Sequence, residues 1–229
     1  MALALIVAAG RGERLGADLP KALVPINGRP LLQWSVDALQ SVPRVSAVVV
    51  ALPAGQLACA PAGTIAVTGG ATRSESVLAA LRAAGSGSED EAVIVHDAAR
   101  IFATSELFEA ALDALDESRA QAVVTAAPVT DTIKQTEWPA DSAGKGLKVT
   151  ATLDRSRLWA VQTPQVFRRS ALERALCADP ELLAQATDDA WLVEQTGGEV
   201  VVLPSTAGNF KITTPTDLRL AELILSDRT

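Results

Sequence analysis

The chain has 229 residues, of which 48% are hydrophobic and 21% are charged, the balance of an ordinary globular protein. Its formal net charge of −7 argues against a nucleic-acid or membrane binder, because such proteins need a cationic patch. The apolar runs are strand-sized and the N-terminus lacks the features of a signal peptide. We therefore expect one soluble, cytoplasmic α/β domain over residues 1–229.

Short β-branched runs alternate with segments of helical period, which predicts a mostly parallel sheet with helices on both faces. Strands are predicted at residues 3–9, 47–52, 64–67, 92–95, 122–127 and 200–203. Helices are predicted at residues 30–40, 74–84, 105–116, 170–178, 188–195 and 215–225. The last helix has the clearest start, since Thr214 can cap it, Pro215 suits its first turn and Asp217 can complete a capping box.

One stretch, residues 131–152, does not fit this alternation. It is polar, contains Pro139, Gly144 and Gly146, and shows no helical period. It is either an unstructured insertion or a two-stranded arm that reaches away from the body of the protein. The residues alone favour neither.

Few residues are available for covalent or zinc chemistry. Cys59 and Cys177 stand alone in the sequence, and we interpret them as buried, reduced thiols. His96 is the only histidine, so a zinc site or a Ser-His-Asp triad would have to be built around it alone. A lone histidine beside a strand end is more often structural than catalytic, and we interpret His96 in this way.

The first predicted strand leads into a loop rich in glycine and cations. Gly10 and Gly12 would let backbone N–H groups approach a phosphate closely. A dinucleotide-binding site is disfavoured, because the glycine spacing departs from G-x-G-x-x-G and the second strand lacks a terminal acidic residue to hold a ribose. A P-loop is excluded, because no Gly-Lys-Ser/Thr follows at the required spacing. Arg11, Arg14 and Lys21 either balance acidic neighbours on a solvated loop or clamp a triphosphate. We favour the clamp, in which Arg14 and Lys21 neutralise charge as pyrophosphate leaves.

Polar residues also follow other predicted strands. Asp97 is placed to hold a ribose hydroxyl or a metal-bound water, and Arg100 to hold a phosphate. Residues 69–76 join a strand end to a helix start, and Lys211 precedes the last helix. Because ligands of doubly wound sheets bind outside the carboxyl ends of the strands, we expect these residues to meet in one crevice.

The order of these motifs reveals a family resemblance. The motifs are Ala8-Ala9-Gly10-x-Gly12-x-Arg14 with Pro20-Lys21, Gly69-Gly70-x-x-Arg73-x-x-Ser76-Val77, His96-Asp97-Ala98-Ala99-Arg100, Asp131-Thr132-Ile133-Lys134, Asp154-Arg155, Thr163-Pro164-Gln165 and Phe210-Lys211-Ile212-Thr213. This set resembles the 2-C-methyl-D-erythritol 4-phosphate cytidylyltransferases of the non-mevalonate isoprenoid pathway over essentially the whole chain.

The resemblance implies a Rossmann-like nucleotidyltransferase fold and a homodimer that exchanges a β-arm at residues 131–152. It implies transfer of CMP from CTP to 2-C-methyl-D-erythritol 4-phosphate, giving 4-diphosphocytidyl-2-C-methyl-D-erythritol and pyrophosphate. Mg²⁺ would be held mainly by the CTP phosphates, with no metal ligand from the protein.

The resemblance also assigns residue roles. Cations implied to be catalytic are Arg14, Lys21, Arg155 and Lys211, the first two acting at the α-phosphate. Residues implied to bind the nucleotide are Ala8, Ala9, Gly10, Gly12, Gly70, Ser76 and Asp97. Residues implied to bind the polyol phosphate are Arg100, Thr163 and Lys211, together with Thr132 and Arg155 from the partner's arm. Two positions depart from the family pattern: Ile101 replaces a usual proline, and Ala71 replaces a common acidic residue.

The chemistry of this reaction agrees with the residues present. A phosphate monoester is largely dianionic near pH 7, so it attacks without a general base. Transfer then depends on positioning and charge neutralisation, which suits a site rich in Arg and Lys. The alternatives are a cytidylyltransferase for another polyol phosphate such as ribitol 5-phosphate, a nucleotide-sugar pyrophosphorylase, a dehydrogenase, and a non-catalytic nucleotide-binding module.

Overall fold

A seven-stranded sheet lies at the centre of the computed structural model, which describes residues 1–10, 12–16, 19–138 and 146–227. The strands are β1 (Ala2–Val7), β2 (Pro25–Ile26), β3 (Arg29–Pro30), β4 (Val45–Leu52), β5 (Ile65–Thr68), β6 (Ala92–Asp97), β7 (Ala122–Pro128), β8 (Lys134–Glu137), β9 (Lys148–Thr152), β10 (Trp159–Arg168) and β11 (Val200–Pro204). The order in the large sheet is β11-β7-β10-β6-β1-β4-β5. All its pairs are parallel except those of β10 with β6 and β7, so the predicted mostly parallel sheet is confirmed.

Helices cover both faces of this sheet, as predicted. They are α1 (Leu31–Gln40), α2 (Arg73–Ala83), α3 (Ser105–Glu117), α4 (Arg169–Leu176), α5 (Pro180–Gln185), α6 (Asp189–Gln195) and α7 (Pro215–Ser226). Alternate residues of β1 enter different cores: Ala4 and Ile6 pack with α1 and α3, whereas Leu3 and Leu5 pack with α2, α4 and α6. This alternation follows from the two-residue period of a strand and explains why β1 is apolar throughout.

A third apolar cluster supports the loops near the first strand. It contains Leu15, Val24, Ile26, Leu31, Ile101, Phe102, Ile212, Ala221 and Leu225. Helix α7 contributes the last two of these residues and begins with the predicted capping box of Thr214 and Asp217. Ile101, which departs from the family pattern, is only 7% exposed and fills this cluster.

The strand β10 was not predicted. Its middle residues, Gln162 to Gln165, are polar or proline, so the apolar pattern of a buried strand is broken there. The register with β7 shifts between Val161 and Gln165, and this irregularity lets Pro164 lie within a strand. The short helix α5 was also missed.

The stretch at residues 131–152 contains a two-stranded antiparallel ribbon formed by β8 and β9. Of the two structures left open by the sequence, the described residues therefore adopt the arm. Residues 139–145, including Pro139 and Gly144, lie outside the described residues.

Both cysteines are free and exposed, so the prediction of unpaired thiols is confirmed and the prediction that they are buried is wrong. Cys59 is the last residue of a short 3-10 helix, and Cys177 is the residue that follows α4. Within the described part of the chain, no helix has the length and apolarity needed to cross a membrane.

Candidate active site

An open cleft of about 720 Å³ lies at the carboxyl ends of β1, β5 and β6. Its lining residues are Val7, Ala8, Ala9, Gly10, Gly12, Arg14, Lys21, Ala22, Gly70, Ala71, Thr72, Arg73, Ser76, Asp97, Ala98, Ala99, Lys211 and Thr213. The position is the one at which α/β sheets bind their ligands, because the loops that follow the strands diverge there. The expectation that strand-end residues meet in one crevice is therefore confirmed for most of them.

The glycine-rich loop forms one wall of the cleft. Gly12 has φ +71°, and a Cβ atom at this position would lie 2.6 Å from Cβ of Lys21. Only glycine combines this backbone conformation with so close an approach. Among the described residues, no acceptor contacts the N–H groups of Ala9, Gly10 or Gly12. This wall therefore presents free backbone donors to an anion.

The cations on this loop are held by apolar packing beneath them. Arg14 is exposed at the surface of the cleft, whereas its neighbour Leu15 is 6% exposed and belongs to the third apolar cluster. Ala22, next to Lys21, is buried against α1. Burying one neighbour of each cation fixes the backbone from which its side chain extends. Arg11 lies outside the described residues.

Asp97 is the centre of the charged groups in the cleft. Its Oδ2 atom accepts a hydrogen bond from Nζ of Lys211 at 2.7 Å, and its Oδ1 atom accepts one from Nε of Arg73 at 3.3 Å. Nε of Arg100 lies 4.0 Å from Oδ2. Burial raises the pKa of Asp97, but these three cations outweigh that effect and hold it well below its usual range. Asp97 is therefore a permanent anion that positions Lys211.

Lys21 has an unusual electrostatic environment for a surface-loop lysine. Its pKa falls from 10.5 to about 8, first because burial disfavours the ammonium and then because Lys211 and Arg14 are positive. Asp97 opposes this shift without cancelling it. The free cleft therefore holds more positive charge than its own carboxylates neutralise, and an anionic ligand relieves the repulsion.

Arg73 connects the cleft to a second, fully buried carboxylate. Besides Asp97, its guanidinium pairs with Asp189 at the start of α6, whose side chain has no exposed area. In the sequence, Arg73 was a motif residue without an assigned role. Asp189 lies 116 residues away in the chain, so no local pattern indicated the pair. Position at a strand end was the one available signal for Arg73.

The turn before α2 forms the other wall of the cleft. Ser76, predicted to bind nucleotide, accepts the N–H of Gly70 at 3.1 Å and donates to the carbonyl of Thr72 at 2.9 Å. A Cβ atom at Gly70 would lie 2.2 Å from Cβ of Glu75, so glycine is required where the turn folds back on the helix. Ala71, which departs from the family pattern, lines the cleft and is exposed.

Thr163 and His96 form a buried pair behind Asp97. The Thr163 hydroxyl accepts the N–H of Asp97 at 3.1 Å and lies 3.0 Å from Nδ1 of His96. Burial lowers the pKa of His96 from 6.5 to about 4, so the ring is neutral at pH 7 and its Nδ1 atom shares a hydrogen bond with the Thr163 hydroxyl. His96 is fully buried with its ring edge against Phe108, which supports its structural interpretation.

Arg100 extends toward β10 rather than into the cleft. It donates to the carbonyl of Asn209 at 2.8 Å and to that of Val161 at 3.4 Å. The Asn209 amide in turn donates to the carbonyl of Thr163 at 2.9 Å. These bonds fasten the segment that carries Lys211 onto β10. Asn209 was not a predicted site residue, and its only signal in the sequence was its place two residues before Lys211.

Thr132 and Arg155 lie at the two roots of the ribbon and not in the cleft lining. Thr132 is exposed. Arg155 is exposed as well, and its guanidinium bonds to the carbonyl of Thr130 within the same root.

Ten of the predicted site residues line the cleft: Ala8, Ala9, Gly10, Gly12, Arg14, Lys21, Gly70, Ser76, Asp97 and Lys211. Four others do not, namely Arg100, Thr132, Arg155 and Thr163. The described residues contain no cluster of three or more His, Cys, Asp or Glu side chains suited to a metal ion. Among the described lining residues Asp97 alone is a carboxylate, and both its oxygens already face cations.

The family model and two relatives that match this chain carry the same name. The family model for 2-C-methyl-D-erythritol 4-phosphate cytidylyltransferase matches residues 2–227. A relative of that name from Saccharopolyspora erythraea is 44% identical, over 98% of this chain and 99% of its own length. Another from Streptomyces coelicolor is also 44% identical, over 98% of this chain and 85% of its own length.

Solved structures agree in fold. The 2-C-methyl-D-erythritol 4-phosphate cytidylyltransferase of Thermus thermophilus has a TM-score of 0.79 at 33% identity, covering 99% of this chain and 100% of its own. The enzyme of the same name from Francisella tularensis has a TM-score of 0.81 at 30% identity, covering 97% of this chain and 99% of its own.

Proposed function

The chain belongs to the 2-C-methyl-D-erythritol 4-phosphate cytidylyltransferase family, and on that premise we propose how its cleft carries out the family reaction. The protein is a nucleotidyltransferase of isoprenoid precursor biosynthesis that moves CMP from CTP to 2-C-methyl-D-erythritol 4-phosphate. An oxygen of the substrate phosphate attacks the α-phosphorus of CTP and forms the new P–O bond. The bond from the α-phosphorus to the bridging oxygen breaks, and pyrophosphate leaves with the electron pair.

The observation that carries this mechanism is the excess of cations around Asp97. Lys21 and Arg14 lie on the glycine loop, and Lys211 faces them across Asp97. Burial is the first cause of the lowered pKa of Lys21, and repulsion from Lys211 and Arg14 adds to it; a bound triphosphate relieves that repulsion. As the five-coordinate phosphorus forms, further negative charge develops where these side chains are already placed.

The protein needs no proton acceptor for this reaction. The nucleophile is a phosphate monoester that is already deprotonated at pH 7. His96, the sole histidine, has no exposed area and stays neutral, and its role is to hold Thr163. The free backbone donors at Ala9, Gly10 and Gly12 bind phosphate oxygens.

Mg²⁺ enters this cleft as part of the CTP complex. Because both oxygens of Asp97 face cations, the described residues would offer the ion at most one shared carboxylate oxygen, and the CTP phosphates and water would supply its other ligands. When bound, the ion neutralises charge on the departing pyrophosphate.

The experiment that tests the assignment compares polyol phosphates. Initial rates of pyrophosphate release from Mg²⁺·CTP are measured with 2-C-methyl-D-erythritol 4-phosphate, ribitol 5-phosphate and glycerol 3-phosphate. The first substrate should give the highest kcat/KM. A preference for ribitol 5-phosphate would assign the cleft to another polyol, and no release with any acceptor would indicate a non-catalytic nucleotide-binding protein.

The protein acts as a homodimer that exchanges the ribbon. Apolar side chains on the ribbon are exposed in one chain, with Trp138 74%, Val149 52% and Leu147 47% exposed. An isolated two-stranded ribbon is at best marginally stable in water, and two-fold pairing with an identical arm would cover these side chains. Exchange would also bring Arg155, which lies outside the cleft of its own chain, to the substrate phosphate of the neighbour.

The free thiols of Cys59 and Cys177 support a reducing, cytoplasmic location.

Mixed dimers test the exchange. Arg155→Ala and Lys21→Ala subunits, each nearly inactive as homodimers, are combined. If Arg155 acts in the neighbour, each mixed dimer has one site with both lesions and one intact site, so each mixed dimer regains about half the activity of a wild-type dimer. If Arg155 acts within its own chain, every site carries one lesion and mixing restores nothing.

A further inference from the structure

The turn at residues 69–72, which lies along one wall of the cleft, uses all four of its backbone N–H groups internally. The four bonds are Gly69 N–H to Leu52 O at 2.8 Å, Gly70 N–H to Ser76 Oγ at 3.1 Å, Ala71 N–H to Glu75 Oε2 at 2.6 Å and Thr72 N–H to Glu75 Oε2 at 3.1 Å. One carboxylate oxygen, Oε2 of Glu75, therefore removes two adjacent donors from the cleft wall.

The backbone groups that this turn leaves unbonded are carbonyl acceptors. Within the described part of the chain, no donor contacts the carbonyl oxygen of Ala71, which lies in the cleft lining. The glycine loop across the cleft has the opposite character, because the N–H groups of Ala9, Gly10 and Gly12 contact no acceptor among the described residues. The cleft thus has a donor wall that suits phosphates and an acceptor wall that suits a ligand carrying N–H groups.

Cytosine and uracil both carry an N–H group, but they differ at C4, and it is the C4 edge that the proposal places against Ala71. Cytosine has an amino group at C4, which donates, whereas uracil has a carbonyl oxygen there, which only accepts. Against an acceptor wall the uracil oxygen loses its hydrogen bonds to water and gains none, so uridine nucleotides bind poorly.

We propose that Glu75 is a specificity-determining positioning residue, which selects cytosine over uracil by sequestering the N–H groups of Ala71 and Thr72. The proposal rests on the proposed function in one respect, that the nucleobase lies against Gly70 and Ser76. It also explains why alanine is tolerated at position 71: that residue serves through its backbone, whose donor is held by Glu75. The tight contact between Gly70 and Glu75 keeps the carboxylate over these two donors.

The decisive variants are Glu75→Ala and Glu75→Gln. Alanine frees both N–H groups to donate to the C4 oxygen of uracil, so the ratio of kcat/KM for CTP to that for UTP should fall at least about tenfold. Glutamine keeps an acceptor oxygen of the same reach and should hold the ratio within about twofold of wild type. Thr104→Ala, which removes a side-chain cap from α3 outside the cleft lining, controls for the general cost of losing a helix cap.

Dissociation constants for CTP and UTP, measured without a polyol substrate, separate this proposal from the proposed function. If the wild-type protein binds CTP more tightly than UTP and Glu75→Ala removes this preference, the proposal stands whichever polyol phosphate receives the CMP group. The melting temperature of Glu75→Ala, compared with that of Thr104→Ala, shows whether the variant is folded. If it is folded and still prefers CTP to UTP as the wild type does, the proposal is wrong.

A series of nucleotides keeps the question decidable even if Glu75→Ala does not fold. Pyrimidin-2-one riboside triphosphate carries only hydrogen at C4. On the wild-type protein the affinity should decrease from CTP to this analogue to UTP, because an acceptor wall repels a C4 oxygen more than it disfavours hydrogen. If UTP binds more tightly than the analogue, the wall has a donor and the proposal is wrong.

Discussion

The lowered pKa of Lys21 predicts an alkaline limit to activity. The value of about 8 in the free enzyme means that about a tenth of Lys21 remains protonated at pH 9. If the ammonium is required, kcat/KM for CTP falls about tenfold for each pH unit above that pKa. The sign follows from the direction of the shift, because rising pH removes the positive charge that binds triphosphate.

The same reasoning separates kcat from kcat/KM. Bound triphosphate is negative and raises the pKa of Lys21, so the alkaline limb of kcat should lie at higher pH than that of kcat/KM. The assay is pyrophosphate release from Mg²⁺·CTP between pH 6 and 10 at saturating polyol phosphate. Lys21→Arg is the control, because a guanidinium stays charged throughout this range and should abolish the limb even where it lowers the rate.

Two results would refute this account of Lys21. A kcat/KM that stays constant up to pH 10 would show that its ammonium form is not needed, or that its pKa is not lowered. An alkaline limb that persists unchanged in Lys21→Arg would assign the titration to another group.

Three further predictions concern the catalytic cation and the buried polar groups. Lys21→Ala should lower kcat about 10²–10³-fold with a smaller effect on KM for CTP, and a raised KM alone would assign Lys21 to ground-state binding. Asp189→Asn leaves Arg73 with Asp97 as its remaining carboxylate partner and should lower the free energy of unfolding by about 3 kcal/mol in urea titrations, whereas Asp37→Asn, in the exposed pair with Arg29, should cost less than about 1 kcal/mol. His96 stays neutral in the folded protein down to about pH 4, whereas in the unfolded chain it protonates near pH 6.5. The free energy of unfolding should therefore decrease by about 3 kcal/mol as the pH falls from 6.5 to 4, and His96→Gln should weaken this pH dependence.

Much of the fold was predictable from local pattern. The six predicted strands and six predicted helices are all present, because apolar period and capping residues are local signals. The strand β10 was missed because Gln162, Thr163 and Pro164 break its apolar run, and a register shift in the sheet accommodates them. Pairing with neighbouring strands can stabilise a strand whose residues have low β-propensity, and such a strand is difficult to predict from sequence.

Some residues of the site were likewise predictable from sequence, and others were not. Residues that follow strands, such as Lys21, Asp97 and Ser76, line the cleft because the topology brings strand ends together. Partners that lie far apart in the chain were not predicted: Arg73 with Asp189, and Asn209 with Thr163. Thr163 faces His96 and the N–H of Asp97, a contact that depends on the antiparallel placement of β10 beside β6.

Phosphorus-31 NMR of the reaction mixture tests the central claim most directly. The claim is that the cations around Asp97 transfer a cytidylyl group to a polyol phosphate. With Mg²⁺·CTP and 2-C-methyl-D-erythritol 4-phosphate, the monoester signal should disappear as pyrophosphate and two coupled diphosphate-diester signals appear in equal amounts, and Lys21→Ala should slow all three changes together. Formation of pyrophosphate with CMP and an unchanged monoester signal would contradict the claim, because it would show hydrolysis of CTP in place of transfer.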